Sequence, residues 1–182
     1  MAKSIEGDEL TREQRKAILD ERAAFLAKAP AVAVKKANQL DVLEFVISGE
    51  RFAVEARFVR EASKLFRLTP LPCTPDFVLG LINFRGQILP LLDLRKILEL
   101  RERTAQTEIQ VVVIQTSEAS AGIAVDEIAG ISSIPELELQ SPKQLMRPSI
   151  VGLFKGIRND RLAVLDIVTL FADSRLIVES MP

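Results

Sequence analysis

The sequence predicts a mainly β protein: two small barrels of about five strands each, with short helices and an added N-terminal α-helix. Three observations predict it. From residue 39 onward, short apolar runs alternate loosely with polar residues and are cut by Gly and Pro, the marks of strands and turns. That pattern then runs twice. "VLEFVISGERFAVEARFVREA" is comparable with "IQVVVIQTSEASAGIAVDEIAGI", and "VLGLINFRGQILPLLDLRKIL" with "IVGLFKGIRNDRLAVLDIVTLF". Gly80 falls opposite Gly152 and Leu92-Asp93-Leu94 opposite Leu165-Asp166-Ile167, at offsets of 72 and 73 residues. Two cycles, each ending in a short helix, point to paired barrels, because closure removes exposed strand edges. Ahead of them lies a segment of helical character, so the chain divides into an extension and connector (1–38) and a two-barrel domain (39–175). The approximate barrels are 39–105 and 106–175.

The elements follow in order. In "LTREQRKAILDERAAFLAKAP", Thr11 followed by Gln14 has the form of a capping box, good helix formers follow, and Pro30 ends the pattern. Ile18 and Phe25 share a face with Leu19, Ala23 and Leu26 beside it. Such a stripe either packs on its own domain or serves partner binding and self-association. "AVAVKKANQ" is a connector. "LDVLEFVISGERFAVEA" reads as a hairpin turning near Gly49, and "RFVREASKLFRLTPLP" continues extended. Pro70, Pro72 and Pro75 exclude helix and mark a rigid loop or edge. "VLGLINF" and "QILPLLDL" form a second hairpin joined at Arg85-Gly86. "LRKILEL" is a short helix and "RERTAQTE" a solvated loop before the second cycle.

Composition narrows the chemistry. Of 182 residues 48% are hydrophobic, with nine Phe and neither Tyr nor Trp, so a sizeable and largely aliphatic core is expected. No apolar run approaches the ~20 residues that cross a bilayer, and the charged start "MAKSIEGDELTREQRK" lacks the apolar region of a secretory signal. The single Cys73 cannot form an internal disulfide, and a net charge of −1 draws the chain to neither nucleic acid nor anionic lipid. A cytosolic protein is the expectation. Histidine is absent. That removes the commonest general base, the usual zinc sites and any Ser-His-Asp or Cys-His arrangement. Neither a GxxxxGK[ST] loop nor a GxGxxG turn occurs. These absences favour a binding protein over an enzyme, with no metal and no cofactor.

Several residues are candidates for function. Gly86 supplies the positive φ of a tight turn, Asn83 can bond to the turn backbone, and Arg85 between them is either a solvated tip residue or a bidentate partner for a carboxylate. Pro90 removes a ladder donor, which predicts an edge strand or a proline whose nitrogen points away from its neighbour. Asp93 and Asp166 precede equivalent helices, as N-caps would; a catalytic carboxylate pair is the alternative. Cys73 reads as a structural thiol. The basic stretch "RFVREASKLFR", with Arg57, Arg60, Lys64 and Arg67, raises a nucleic-acid-binding barrel as a second function, although only Phe58 and Phe66 are there to stack on bases. Val59, Ile123, Val125 and Ile128 are either core residues or the border of an apolar groove.

"FAVEARFVREA", "LTPLPCTPDFVLGLINFRGQILPLLDLR", "AGIAVDEIAGI" and "GLFKGI…LAVLDIVTLF" together resemble the CheW family of chemotaxis adaptors, over about residues 40–173. The sharpest piece is "GLINFRGQILPLLDLR", where the family has G-V-I-N-L-R-G-x-x-x-P-x-x-D-L-R; Phe84 and "PCTP" depart from its pattern. The resemblance implies two intertwined five-stranded SH3-like barrels. It also implies a non-catalytic scaffold that bridges chemoreceptor signalling tips to the regulatory domain of the histidine kinase CheA, in the cytoplasm at membrane-associated arrays. No nucleic acid, direct membrane insertion or cofactor is implied. Matched by motif, the receptor contacts would be Val59, Glu61, Ala62, Gly80 and Arg85, with Ile123, Val125 and Ile128. A receptor tip is helical, so its apolar stripe would lie in a groove between barrels, with Arg85 fixing orientation or bracing the groove.

Overall fold

The computed structural model describes residues 39–65, 67–101 and 108–176. The expected N-terminal helix and its connector, Phe66 and most of the "RERTAQTE" stretch lie outside the described residues. Ten strands are described: β1 (Gln39–Ile47), β2 (Glu50–Glu55), β3 (Val59–Lys64), β4 (Val78–Phe84), β5 (Gln87–Leu92), β6 (Gln110–Gln115), β7 (Ser120–Val125), β8 (Glu127–Pro135), β9 (Phe154–Ile157) and β10 (Ala163–Leu165). Two short helices, α1 (Leu94–Ile97) and α2 (Ile167–Phe171), follow β5 and β10.

The strands form two five-stranded sheets, the first in the order β8-β1-β2-β10-β9 and the second β3-β6-β7-β5-β4. Replacing each strand by the one five places away in sequence turns one order into the other, so the doubled sequence pattern is a doubled architecture. The sheets do not follow the division at residue 105. The second sheet takes β3 to β7 as one continuous stretch, while the first joins β1 and β2 to β8, β9 and β10.

Each sheet has a local closing device. Thr69, beyond β3, exchanges backbone hydrogen bonds with Leu81 of β4 at 2.9 and 2.8 Å; Gln140, beyond β8, does the same with Ile157 of β9 at 2.9 and 3.0 Å. The outer edges of each sheet are thereby joined. The crossing segment passes over a glycine in both cases. A Cβ on Gly80 would stand 2.3 Å from the Thr69 carbonyl oxygen, and one on Gly156 would stand 2.8 Å from Leu139 Cβ. Gly80 pairs with Leu91 and Gly156 with Val164, two residues before the equivalent aspartates. The counterpart of Gly80 is therefore Gly156. The motif match of Gly80 with Gly152 does not hold in the strand register, because the second hairpin is shorter than the first.

Both hairpins of the first cycle turn on two residues with positive φ, Ser48-Gly49 (54°, 80°) and Arg85-Gly86 (49°, 87°), the type I′ geometry that matches strand twist. The Asn83 side-chain oxygen accepts from Gly86 N at 2.9 Å. Pro90 does not sit on an edge, since β5 lies between β7 and β4. It pairs with Leu81, whose backbone groups are used by Thr69, so β4 asks nothing of its missing N–H. The main core is shared: Phe45 and Phe52 of the first sheet, Ile114 and Ile123 of the second, and Leu94 and Ile167 from the helices belong to it. Phe52 stacks on Phe45 and Phe154, with centroids 6.3 and 6.4 Å away. Burial of such a side chain contributes roughly 1.5–3 kcal/mol. Smaller clusters, around Val42 and Val164 in the first sheet and Leu91 and Val111 in the second, occupy the other faces.

Candidate functional site

A wide concavity lies where β3 and β4, the outer strands of the second sheet, draw apart. Its volume is about 550 Å³; Ile82, Val111 and Val113 line it together with Glu61, Arg67 and Arg85. Alternation along β3 turns Glu61 and Ser63 inward and leaves Ala62 and Lys64 exposed. The type I′ turn carries Arg85 to the opposite rim. There Arg85 Nη2 donates to Glu61 Oε2 at 2.9 Å, and the guanidinium lies 5.3 Å from the Phe84 ring centroid. Arg85 remains 76% exposed in its side chain, so this pair contributes on the order of 1 kcal/mol or less to stability. A charge held across an open rim, with little structural worth, is available to a ligand.

The other motif-matched positions scatter. Val59 and Ile128 are partly buried against the shared core, and Ala62 is exposed on the outer face of β3. Ile123 and Val125 have no exposed surface: both side chains belong to the shared core, so neither can touch a partner. Gly80 is buried beneath Thr69 and acts through its missing Cβ. The two aspartates cap helices. Asp93 Oδ1 accepts from Arg95 N at 3.0 Å and Asp166 Oδ1 from Thr169 N at 3.1 Å. Asp93 is further held by Arg95, whereas Asp166 caps the separate helix α2. Cys73 is exposed with φ 57°. The basic stretch is largely spoken for: Arg57 pairs with Glu55, Arg60 Nε donates to Gln115, and Lys64 pairs with Glu108. Arg67 alone of the four has neither an ion pair nor a side-chain hydrogen bond among the described residues.

Two charged clusters were not anticipated. Arg95, 3% exposed, donates to Asp93 Oδ1 (2.9 Å), Asp126 Oδ1 (2.6 Å) and Ser48 Oγ (3.1 Å), while Ser48 N donates to Asp126 Oδ2 (2.6 Å). Helix α1 is thus tied to the β1–β2 turn and to the β7–β8 junction, joining both sheets. The second cluster occupies the first sheet where the second sheet has its concavity. Glu44 pairs with Ala53 as Val113 pairs with Gly122, so Glu44 stands in the place of Val113. It accepts from Ser132 Oγ (2.6 Å) and Arg51 (2.7 Å). Arg51 continues to Asp160 (2.9 Å), which Arg158 grips through two nitrogens (2.7 and 2.8 Å). Bonds from Arg158 and Arg51 hold the Asp160 carboxyl far below its usual range. Burial opposes the charge of Glu44, but bonds from Ser132 and Arg51 and the nearby guanidinium charges outweigh it and leave its pKa lowered. Only the "DLR" tripeptide, a charge inside an apolar run, hinted at Arg95; no local signal pairs Glu44 with Arg158.

This architecture has known relatives. The CheW-like domain matches residues 41–175. Chemotaxis protein CheW of Treponema pallidum is 28% identical over 146 residues, 76% of this chain and 86% of that protein. Protein FrzA of Myxococcus xanthus is 30% identical over 117 residues, 64% of this chain and 73% of its own length. The crystal structure of scaffolding protein TtCheW from Thermoanaerobacter tengcongensis superposes with a TM-score of 0.64 at 24% identity, covering 74% of this chain and 94% of that one. The matched span begins within β1 and runs beyond α2, taking in both sheets and the Glu61–Arg85 rim. The chain belongs to the CheW-like domain family.

Proposed function

We propose that this chain is a non-catalytic chemotaxis adaptor that couples chemoreceptors to a CheA-type histidine kinase in cytoplasmic arrays at the membrane. The family match over 41–175 carries the reading. Relatives named for chemotaxis over most of their length support it. In this reading each sheet closes as an SH3-like barrel, supported by the Thr69–Leu81 and Gln140–Ile157 bridges. A receptor tip would lay an apolar helical stripe near Val59 and Ile128, and Arg85 would orient it by exchanging Glu61 for a receptor carboxylate. Such contacts need not be tight, because an array holds its members at high effective concentration.

The test uses the full chain in pull-downs with a CheA regulatory domain and a receptor signalling fragment, followed by a receptor-dependent kinase assay. The wild-type chain is expected to retain both partners. Arg85→Ala is expected to lower stability by about 1 kcal/mol or less while abolishing most of the receptor-dependent activation. Retention of neither partner by the wild type sinks the adaptor reading; full activation by a folded Arg85→Ala sinks the role of the arginine.

A further inference from the structure

The concavity between β3 and β4 has walls made of strand edges. Along an antiparallel pair, the backbone groups of successive residues point alternately toward the partner strand and away from it. Leu65 N donates to Ile109 O at 3.0 Å, which fixes the alternation: Glu61 and Ser63 bond to β6, while Ala62 and Lys64 turn their N–H and C=O groups outward. On the facing wall Leu81 spends both groups on Thr69, so Asn83, two residues on, likewise turns its N–H and C=O away from β5. The strands run antiparallel, zipped at Thr69–Leu81, and part toward the Glu61–Arg85 rim. Backbone donors and acceptors therefore look into one gap from both sides. Its floor is Ile82, Val111 and Val113.

The charge around the gap is unbalanced. Lys64, Arg67 and Arg85 line it against Glu61. Glu61 holds Arg85 and the neighbouring Glu108 holds Lys64, which leaves Arg67 exposed and without an ion-pair partner among the described residues. In the first sheet the matching region is filled by the chain itself, through Glu44, Arg51, Ser132, Arg158 and Asp160. The two halves thus solve the same edge problem differently, one with its own side chains and one with an empty slot.

We propose that the slot accepts a short extended segment of a partner protein as an added strand between β3 and β4. Backbone groups of Ala62, Lys64 and Asn83 would bond to it, alternate apolar side chains would rest on Val111 and Val113, and an acidic residue at its inner end would meet Arg67. From Glu61 to Leu65 the wall extends roughly 13 Å, the reach of about four extended residues. A helix cannot use these groups, because its own backbone bonds are internal. This site does not depend on the adaptor reading: the slot can fill or stay empty whether or not kinase and receptor fragments are retained.

The experiment titrates the full chain into fluorescein-labelled acetyl-Asp-Val-Thr-Val-Thr-Asp-amide, with fluorescence anisotropy as the readout, and follows amide hydrogen exchange by NMR. Saturable binding is expected, with slower exchange at the Ala62, Lys64 and Asn83 amides. Methylating the two central peptide nitrogens removes backbone donors and is expected to weaken binding by about fivefold or more. Arg67→Glu, an exposed substitution, is expected to weaken it by about tenfold with an unchanged melting temperature. Absence of saturable binding, unaltered exchange at those amides, or equal affinity after methylation or after Arg67→Glu would each overturn the proposal. So would dissociation of a dimer on adding peptide, which would assign the slot to a second copy of the chain.

Discussion

Arg95 is the residue whose loss should be felt most. Buried and shared by two aspartates and a serine, it withdraws a positive charge from both carboxylates when it is removed. Breaking a buried pair from one side costs about 3–5 kcal/mol, so Arg95→Met is expected to lower the urea midpoint steeply, whereas loss of less than about 1 kcal/mol would show the network to be ornamental. The glycines under the crossing segments offer a graded comparison. At Gly80 an added methyl meets backbone carbonyl, with φ 146° as a second obstacle; at Gly156 it meets the Leu139 side chain first. Gly80→Ala is expected to destabilise more than Gly156→Ala in chemical denaturation, and the reverse order would refute the strand-crossing account. The sequence made the aspartate caps, the Asn83 turn and the exposed Arg85 legible because each depends on neighbours within a few positions. Arg95 escaped because one of its partners, Asp126, lies 31 residues away. Ile123 and Val125 were misjudged for a related reason: "AGIAV" is apolar on both faces, and nothing local says which positions meet the opposite sheet.

The strand elements were readable from alternation and turn chemistry, including both type I′ hairpins of the first cycle. Pro90 was less so, since a missing N–H signals an edge only when the neighbour wants that donor. The acid cluster of the first sheet gives its edge a property that the second lacks. Glu44 and Asp160 have pKa values below the ordinary 4.5 and 3.8 in the folded protein. Depressed pKa values add stability that is fully present above the unfolded values and is lost as pH falls toward the folded ones. The melting temperature is therefore expected to fall once pH drops below about 4.5, and the Asp160→Asn variant should show a shallower fall than wild type between pH 6 and 2. Identical acid profiles for the two proteins would deny the cluster a stabilising role. Salt should mute the effect, because most of these groups are partly exposed.

At the level of the whole molecule, a doubled pattern with offsets near 72 residues was readable, but the sharing of strands between sheets was not. Local periodicity says that five strands recur; it cannot say that β1 and β2 leave their own cycle to join β8, β9 and β10. Long-range pairing of this kind is decided by the shared core, where Phe52 meets Phe154 across 102 positions of sequence. The exchange has a consequence for a severed chain. Cut within residues 102–107, the domain yields one piece with β1 to β5 and another with β6 to β10, and neither contains a whole sheet. Each piece alone is expected to be unfolded by circular dichroism, and mixing them should restore the β spectrum; a piece that folds unaided would contradict the observed strand order. In the intact protein the linker then acts as a tether that raises the local concentration of two mutually dependent halves, so this single chain is physically an obligate heterodimer whose subunits were never allowed to part.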